Sequence, residues 1–193
     1  MNNKDYFEYK KSYSFIFSFF YSAEGLYNGI QQIVIPFWLI SLMTIDLAVI
    51  LGIFSITTIP WTIKFILGLI NDKYGSRKFG RRKPWILAFG TIGGIAFISA
   101  GIGLPSQSPG SIINFILVCA LFWNIGMAFS DTAIDGMILD VTPKQDLGKV
   151  QSYCWAMNTF GTGGGGIILG AIFLYFEAIP LLFVFEGVLL ISS

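Results

Sequence analysis

The sequence has no histidine, and this limits the chemistry that the chain can perform. Without imidazole groups, the chain can build neither a histidine metal site nor a catalytic triad with histidine as its base. Cysteine is scarce too, because only Cys119 and Cys154 occur, and both lie in apolar stretches. Two such cysteines do not make a disulfide framework, so we interpret them as small buried apolar side chains. We expect no metal and no cofactor.

Charged residues are also few. They make up 12% of the chain, whereas hydrophobic residues make up 54% and aromatic residues 17%. This composition excludes a soluble domain and is typical of an integral membrane protein. The formal net charge of +1 hides a strong segregation, because most basic residues lie in short segments between long apolar runs. We therefore expect a lipid bilayer around the chain and no nucleic-acid partner.

The apolar runs predict a bundle of membrane helices, each with the ~20 residues that a bilayer core requires. A polar segment, 1–12, precedes a helical bundle that covers 13–193. The predicted helices, numbered one to six, cover residues 13–40, 47–70, 85–104, 112–141, 150–176 and 179–193. Helix one is too long for a signal-peptide core and is followed by no small-residue cleavage site, so we expect it to be uncleaved. Helix six ends with the chain, and we interpret it as truncated.

The distribution of basic residues predicts the orientation of the helices. The N-terminal segment, the 71–84 loop and the 142–149 turn hold three, six and two of the twelve lysines and arginines. The alternate turns, 41–46, 105–110 and 177–178, hold none. Because basic loops stay in the cytoplasm, we expect a multi-pass protein of the plasma membrane with a cytoplasmic N-terminus.

Ionisable and polar side chains inside the predicted helices are candidates for function, because such groups are expensive in a bilayer. Helices one and four each place three of them on a single face, and helix two adds a lysine. The candidates for substrate binding or ion coupling are Glu24, Asn28, Gln31, Lys64, Asn124, Asp131 and Asp135. The alternative is that they only cross-link helices, and for Lys64 and Asp135 a structural ion pair is an equal possibility.

The depths of the charged groups predict two levels in the membrane. At ~1.5 Å per residue, Glu24 and Asp131 lie ~16 and ~15 Å from the cytoplasmic ends of their helices. Lys64 and Asp135 lie ~9 Å from the same side. We therefore expect an acid–acid level near mid-membrane and a Lys–Asp level nearer the cytoplasm. For Glu186, a position near the membrane surface stays an alternative, because predicted helix six has no second end from which to measure its depth.

The hydrophilic loop between helices two and three carries the most specific motif. Gly68, Asp72, Lys73, Gly75 and the pair Arg77-Lys78 follow the pattern G-x-x-x-D-[RK]-x-G with basic residues after it. This pattern resembles the corresponding loop of the major facilitator superfamily. The segment from Gly80 to Trp85 is similar to the longer loop of sugar symporters in the glycoside–pentoside–hexuronide and sucrose branches. A loop that only obeyed topology rules would explain the charges but not the Gly and Asp spacing.

The resemblance implies the six-helix N-terminal half of a major facilitator fold, built as two inverted three-helix repeats. It also implies a second six-helix half, supplied by a missing C-terminal part or by another subunit. Substrate would bind between the halves, which would rock about it, and the basic loop would lock the cytoplasmic side. The resemblance assigns this gate to Gly68, Asp72, Lys73, Gly75, Arg77, Lys78, Gly80, Arg81 and Arg82, with Asp140 as a partner for Arg77 or Arg81.

Other resemblances concern the substrate. The segment Ala23–Asn28 resembles the Gly-Asp-Phe-x-x-Asn pattern of melibiose-type symporters, which places Glu24 at their sugar-contacting acid in helix one. Asp131 matches their helix-four acid. These similarities imply symport of a sugar or a related small polar solute. The segment Asp131–Gly136 is also similar to muropeptide and acetyl-coenzyme A permeases, so the substrate class stays open.

A difference between this sequence and the sodium-using symporters predicts which ion is coupled to transport. Sodium-using members carry cation-binding acids in helix two, where this chain has Pro60 and Lys64. We therefore expect transport that does not depend on sodium. Either a proton couples through Glu24 or Asp131, or the protein is a facilitator.

Other classes of protein are less consistent with the sequence. Asp135-Gly136 and Asp140 faintly resemble CDP-alcohol phosphotransferases, but Leu139-Asp140 stands where that motif needs Ala-Arg, so we expect no enzyme. A non-transporting assembly factor or receptor of the same fold is the remaining alternative. The polar lining of helices one and four favours transport, because a scaffold has no reason to bury Glu24 and Asp131.

Overall fold

The structure is a computed structural model, and it describes residues 11–42, 46–75, 80–108 and 110–193. Within these ranges the chain forms helices joined by short turns, without a β-strand. The α-helices are α1 (Lys11–Gly29), α2 (Ile35–Leu42), α3 (Leu47–Thr57), α4 (Ile59–Thr62), α5 (Lys64–Lys73), α6 (Lys83–Gly103), α7 (Ile112–Val141), α8 (Leu147–Phe160), α9 (Ile168–Tyr175) and α10 (Ile179–Ser192). The predicted all-α class is confirmed.

In the part of the chain that the structure describes, three helical segments are long and apolar enough to cross a membrane: Lys83–Ser106, Ile112–Val141 and Leu147–Tyr175. The last helix, Ile179–Ser192, is apolar but shorter. The chain is therefore an integral membrane protein. The count of five complete spans with a partial sixth, and the separate segment 1–12, stay predictions.

Predicted helix one is a continuous rod whose geometry changes in the middle. A π-helical segment, Ile30–Val34, joins α1 to α2. Pro36 lies in the first turn of α2, and its ring would clash with the carbonyl four residues earlier in a regular α-helix. The wider π turn relieves that clash without ending the helix. The π turn also rotates the side-chain direction of Gln31 about the helix axis, relative to the residues before it.

Predicted helix two is broken into α3, α4 and α5. The backbone leaves α-helical geometry at Thr58 and Ile63, where ψ is 0° and 14°. Pro60 stands in the first turn of α4. The hydroxyl groups of Thr58 and Thr62 bond carbonyls three residues earlier and so compete with helical hydrogen bonds. The breaks flank the segment that carries Trp61 and lie next to Lys64.

Glycine contacts hold α6, α7 and α10 close together. A Cβ atom on Gly126 of α7 would stand 2.5 Å from the Gly93 nitrogen of α6. A Cβ on Gly94, on α6, would stand 2.6 Å from the carbonyl oxygen of Gly187 in α10. Small residues permit this approach, because in a bilayer helices associate through close packing rather than through the hydrophobic effect.

Predicted helix five packs against α1 in the same way. Its glycine run forms a π-helical segment, Gly161–Ile167, between α8 and α9. A Cβ on Gly29 of α1 would lie 2.7 Å from the Gly166 Cα atom, and a Cβ on Gly25 would overlap the carbonyl oxygen of Asn158. Gly163, by contrast, faces open space. One side of the glycine run therefore makes a close approach to α1, and the other side does not.

An aromatic cluster fills the centre of the bundle. The rings of Phe97 and Trp123 are stacked with centroids 4.2 Å apart, and Phe183 of α10 packs on both. Glu186, one turn after Phe183, is fully buried, and among the described residues neither of its carboxyl oxygens has a hydrogen-bond partner. Glu186 therefore lies inside the bundle, and its position at the membrane rim stays a prediction.

Candidate functional site

Lys64, at the start of α5, joins two carboxylates of α7. Its ammonium group forms an ion pair with Asp131 and lies 2.8 Å from Oδ2 of Asp135. The two aspartates are one helical turn apart on the same face, so one ammonium group can reach both. The expected pair of Lys64 with Asp135 is present. The expected separation of Asp131 from Lys64 is wrong, because the flexible lysine side chain spans the turn between the aspartates.

Tyr21 of α1 completes the surroundings of Asp135. Its hydroxyl group donates a hydrogen bond to Oδ1 of Asp135, whereas Lys64 contacts Oδ2. Sequence reasoning missed this tyrosine. The available signal was its position three residues before Glu24, which puts both side chains on one face of α1.

Glu24 is buried beside these groups. The residue is 6% exposed and lies next to the side chain of Asn158 in α8. Within the described part of the chain, its Oε2 atom has no hydrogen-bond partner. Asn158 reaches Glu24 because the neighbouring Gly25 has no Cβ that would hold α8 away. An unpaired buried acceptor is costly, so this oxygen is suited to receive a further donor.

These side chains line one open cavity of about 340 Å³. The lining residues are Tyr21, Glu24, Trp61, Lys64, Asp131, Asp135, Leu139, Gln151 and Trp155. Predicted helices one, two, four and five all contribute to it. Among the described residues, no group of three or more side chains is placed to hold a metal ion. The arrangement can bind a polar group or exchange a proton among its carboxyl groups.

A second polar cluster surrounds Asn124 of α7. Its Oδ1 atom accepts hydrogen bonds from the Tyr27 hydroxyl at 2.7 Å and from the Trp61 indole nitrogen at 3.0 Å. Its amide nitrogen donates to Oε1 of Gln31 at 2.7 Å, and Trp123 donates to that same oxygen at 2.6 Å. Because Trp61 also lines the cavity, it connects the two clusters. The structure thus places Gln31 and Asn124 together, but in this second cluster.

Asn28 belongs to neither cluster. Its side-chain oxygen accepts a 3.4 Å hydrogen bond from Gln32 on the exposed side of the helix, and it does not line the cavity. The face shared with Glu24 therefore does not bring Asn28 to the charged groups.

A network of ion pairs joins the basic loop to α5 and α7. Arg82 lies 2.8 Å from Oδ1 of Asp72 and 3.0 Å from Oδ2 of Asp140. Arg81 donates to both carboxylate oxygens of Asp140, at 3.0 and 2.9 Å. These hydrogen bonds raise the pKa of Arg81 above its ordinary value. The guanidinium group of Arg82 lies against Gly136, where a Cβ would overlap it.

The other gate residues that the structure describes make contacts of a different kind from these ion pairs. The Lys73 ammonium lies 5.3 Å from the ring centroid of Tyr74. Gly68 makes an ordinary contact with Thr132, to which a Cβ would be 3.5 Å away. A Cβ on Gly75 would be 3.0 Å from the Cα atom of Arg81, so these two residues lie close together. Gly80 has a φ of 80°, a conformation that favours glycine.

Two gate residues cannot be placed. Arg77 and Lys78 lie outside the described residues. The expected pair of Asp140 with Arg81 is present, whereas the alternative pair with Arg77 stays a prediction.

Comparison with known proteins shows that the chain is similar to membrane transporters. The profile of the BT1 family matches residues 24–193. The chain is 29% identical to an uncharacterized membrane protein of Saccharomyces cerevisiae over 189 residues, which cover 83% of this chain and 33% of the relative. It is 30% identical to the probable folate-biopterin transporter 4 of Arabidopsis thaliana over 144 residues, which cover 67% and 28%. It is 26% identical to the anhydromuropeptide permease of Escherichia coli K12 over 153 residues, which cover 79% and 29%.

The chain spans about a third of the length of these relatives. The relatives whose names state a function are transporters and permeases rather than enzymes. No solved structure matches the chain.

Proposed function

The chain belongs to the BT1 family, and from that membership we propose that it forms the N-terminal half of a secondary active transporter that works by alternating access. The observation that carries the proposal is the pairing of Lys64 with Asp131 and Asp135 beside an open cavity. A pure helix cross-link would need only this ion pair. It would not need Glu24 on the same cavity with an oxygen that has no partner.

The charged groups can exchange partners when a solute or proton arrives. A charge inside the membrane bundle needs a compensating charge, so Lys64 holds Asp131 and Asp135 while the cavity is empty. A proton on Asp131, or a positive group bound beside it, weakens its attraction for Lys64. Lys64 is then held by Asp135 alone, and the contact between α5 and α7 loosens. Such an exchange couples occupancy of the cavity to helix movement.

The network of Asp72, Arg82 and Asp140 is the proposed gate. It links the end of α5, the basic loop and the end of α7 by charge-assisted hydrogen bonds. We place this end of the bundle in the cytoplasm and the protein in the plasma membrane, as the basic loops predict. A second six-helix half would face the cavity and complete it.

The solute is proposed as a small polar molecule. The names of the relatives suggest folate, biopterin or an anhydromuropeptide, whereas the resemblance to sugar symporters suggests a sugar with a coupled proton. The cavity holds both charged and aromatic side chains, which suits solutes that combine polar groups with a flat or apolar part.

Uptake by the full-length protein in proteoliposomes tests the proposal. The solutes are biopterin, folate, an anhydromuropeptide and a disaccharide, each measured with and without an inward proton gradient. We expect uptake of at least one solute, and we expect Asp131→Asn to abolish it. Glu177→Gln is the matched control, because it removes an exposed carboxylate outside this cavity. Absence of uptake for every solute, with correctly inserted protein, would favour a non-transporting assembly factor or receptor.

A further inference from the structure

We propose that the cavity beside Glu24 binds an organic cation, with a positively charged hydrogen-bond donor held by Glu24 and an apolar body held by tryptophan side chains. This rests on the proposed function, because it takes the cavity as the solute site. It departs from the sugar that the sequence resemblance suggests, since the recognised group is then a cation rather than a hydroxyl.

The charge balance of the cavity is the first argument. Three carboxyl groups, those of Glu24, Asp131 and Asp135, face one ammonium group. Lys64 is the only cation among the described residues that line the cavity, and it already contacts two of the three carboxylates. An anionic solute would have to break those ion pairs to reach the lysine. A cation meets an excess of negative charge without displacing any contact.

The unpaired oxygen of Glu24 is the second argument, and it is independent of the charge count. The side chain is buried on a cavity wall, and its Oε2 atom has no partner among the described residues. In its ionised form a carboxyl group can only accept hydrogen bonds, so the missing partner of ionised Glu24 is a donor. A charged donor gives a shorter and stronger bond than a hydroxyl does.

Aromatic side chains on the cavity wall are the third argument. The Lys64 ammonium lies 5.8 Å from the ring centroid of Trp61, which is within the range of a cation–π contact. This wall therefore already accommodates a positive group. Trp155 lines the same cavity and is 62% exposed, so its ring is free to contact a solute. Tryptophan is the most favourable aromatic partner for a cation, and it also stacks on flat apolar groups.

Three probes of similar size and different charge test the inference. They are 2-phenylethylammonium, 3-phenylpropionate and 2-phenylethanol. The full-length protein carries Gln151→Cys, which puts a thiol on the cavity wall, and the rate of maleimide labelling is followed at increasing probe concentration. Cys119 and Cys154 are buried, and the unsubstituted protein gives their background rate. We expect 2-phenylethylammonium to protect the new thiol at concentrations where the other two probes do not.

A substitution at Glu24 identifies the recognised contact. Glu24→Gln keeps the size of the side chain and removes its charge, so the dissociation constant of 2-phenylethylammonium is expected to rise about tenfold or more. The control Glu177→Gln is expected to leave it unchanged. If Glu24→Gln does not fold, the comparison of the three probes on the Gln151→Cys protein, which keeps Glu24, still decides the question.

Protection by 3-phenylpropionate, equal protection by all three probes, or no protection would overturn the inference. An unchanged dissociation constant in a folded Glu24→Gln protein would overturn it too. The labelling assay needs no transport, so the two proposals fail separately. Protection by the cation in a protein that takes up neither 2-phenylethylammonium nor any of the four solutes named above would count against the transporter alone. Uptake of an anion with no protection by the cation would count against the inference alone.

Discussion

The ammonium group of Lys64 lies 2.8 Å from a carboxylate oxygen of Asp135, a residue 71 positions later in the chain. The same ammonium pairs with Asp131, one turn earlier on α7. This contact joins the broken predicted helix two to the longest helix of the bundle. Because an uncompensated charge in a membrane is costly, the pairing sets how these two helices face each other.

The first prediction concerns sodium. The Lys64 ammonium occupies the space between the aspartates where a coupling cation would otherwise bind, and unit charges ~4 Å apart repel by ~4 kcal/mol at an effective dielectric of 20. We expect uptake into proteoliposomes to be unchanged when potassium, which is not an organic cation, replaces sodium at constant pH. A large loss of rate without sodium would show that Lys64 does not take the place of the ion.

The second prediction concerns the gate. Arg82→Gln removes the hydrogen bonds to both Asp72 and Asp140, and charge-assisted bonds contribute ~1.5–3 kcal/mol each, less where they are exposed. We expect the uptake rate to fall about tenfold, the factor that corresponds to ~1.4 kcal/mol. Asp72→Asn removes one of the two contacts and is expected to have a smaller effect. Arg82→Lys should not restore the rate, because an ammonium group lacks the planar fork of donors.

The control for the gate is Lys83→Gln. It removes one positive charge at the neighbouring exposed position, so a general effect of loop charge would appear there as well. Uptake at the unsubstituted rate in Arg82→Gln, with normal expression, would remove the basis for the gate.

The third prediction concerns the packing of α1 against α8. The methyl group that Gly25→Ala adds would overlap the carbonyl oxygen of Asn158, so α8 has to move away from Glu24. Overpacking of this kind costs about 1–3 kcal/mol. We expect a lower thermal unfolding midpoint in detergent and weaker uptake.

The matched control for this packing change is Gly163→Ala, because the same added methyl group meets open space. Its unfolding midpoint is expected to stay at or slightly above that of the unsubstituted protein, since alanine favours helix more than glycine does. Equal midpoints for the two variants would argue against a close contact at Gly25.

The fourth prediction concerns topology. A cysteine placed at Ser108, in an exposed turn with no basic residue, is expected to react with a membrane-impermeant thiol reagent added outside the cell. A cysteine placed at Ser76, in the basic loop, is expected to react only after the membrane is permeabilised. The reverse pattern would invert the orientation of the whole bundle.

Several features follow from the sequence alone because they depend on composition or on spacing within one helix. The apolar runs and the scarcity of charge predict a helical membrane protein. The four-residue spacing of Asp131 and Asp135 predicts that they share a face, since helical periodicity is a local property. The loop motif predicts the charged groups at one end of the bundle, and the structure adds that Arg82 bridges Asp72 and Asp140.

Only the tertiary structure decided which of these faces meet. Lys64 reaches both aspartates because predicted helix two breaks at Ile63, immediately before it, and because α5 packs on α7. Glu24 lies beside Asn158 of α8 because Gly25, which has no Cβ, lets that helix come close. Periodicity assigns a side chain to a face, but the crossing points of helices distant in sequence choose its partner. Those crossings depend on glycine contacts and helix breaks whose effects no single segment reveals.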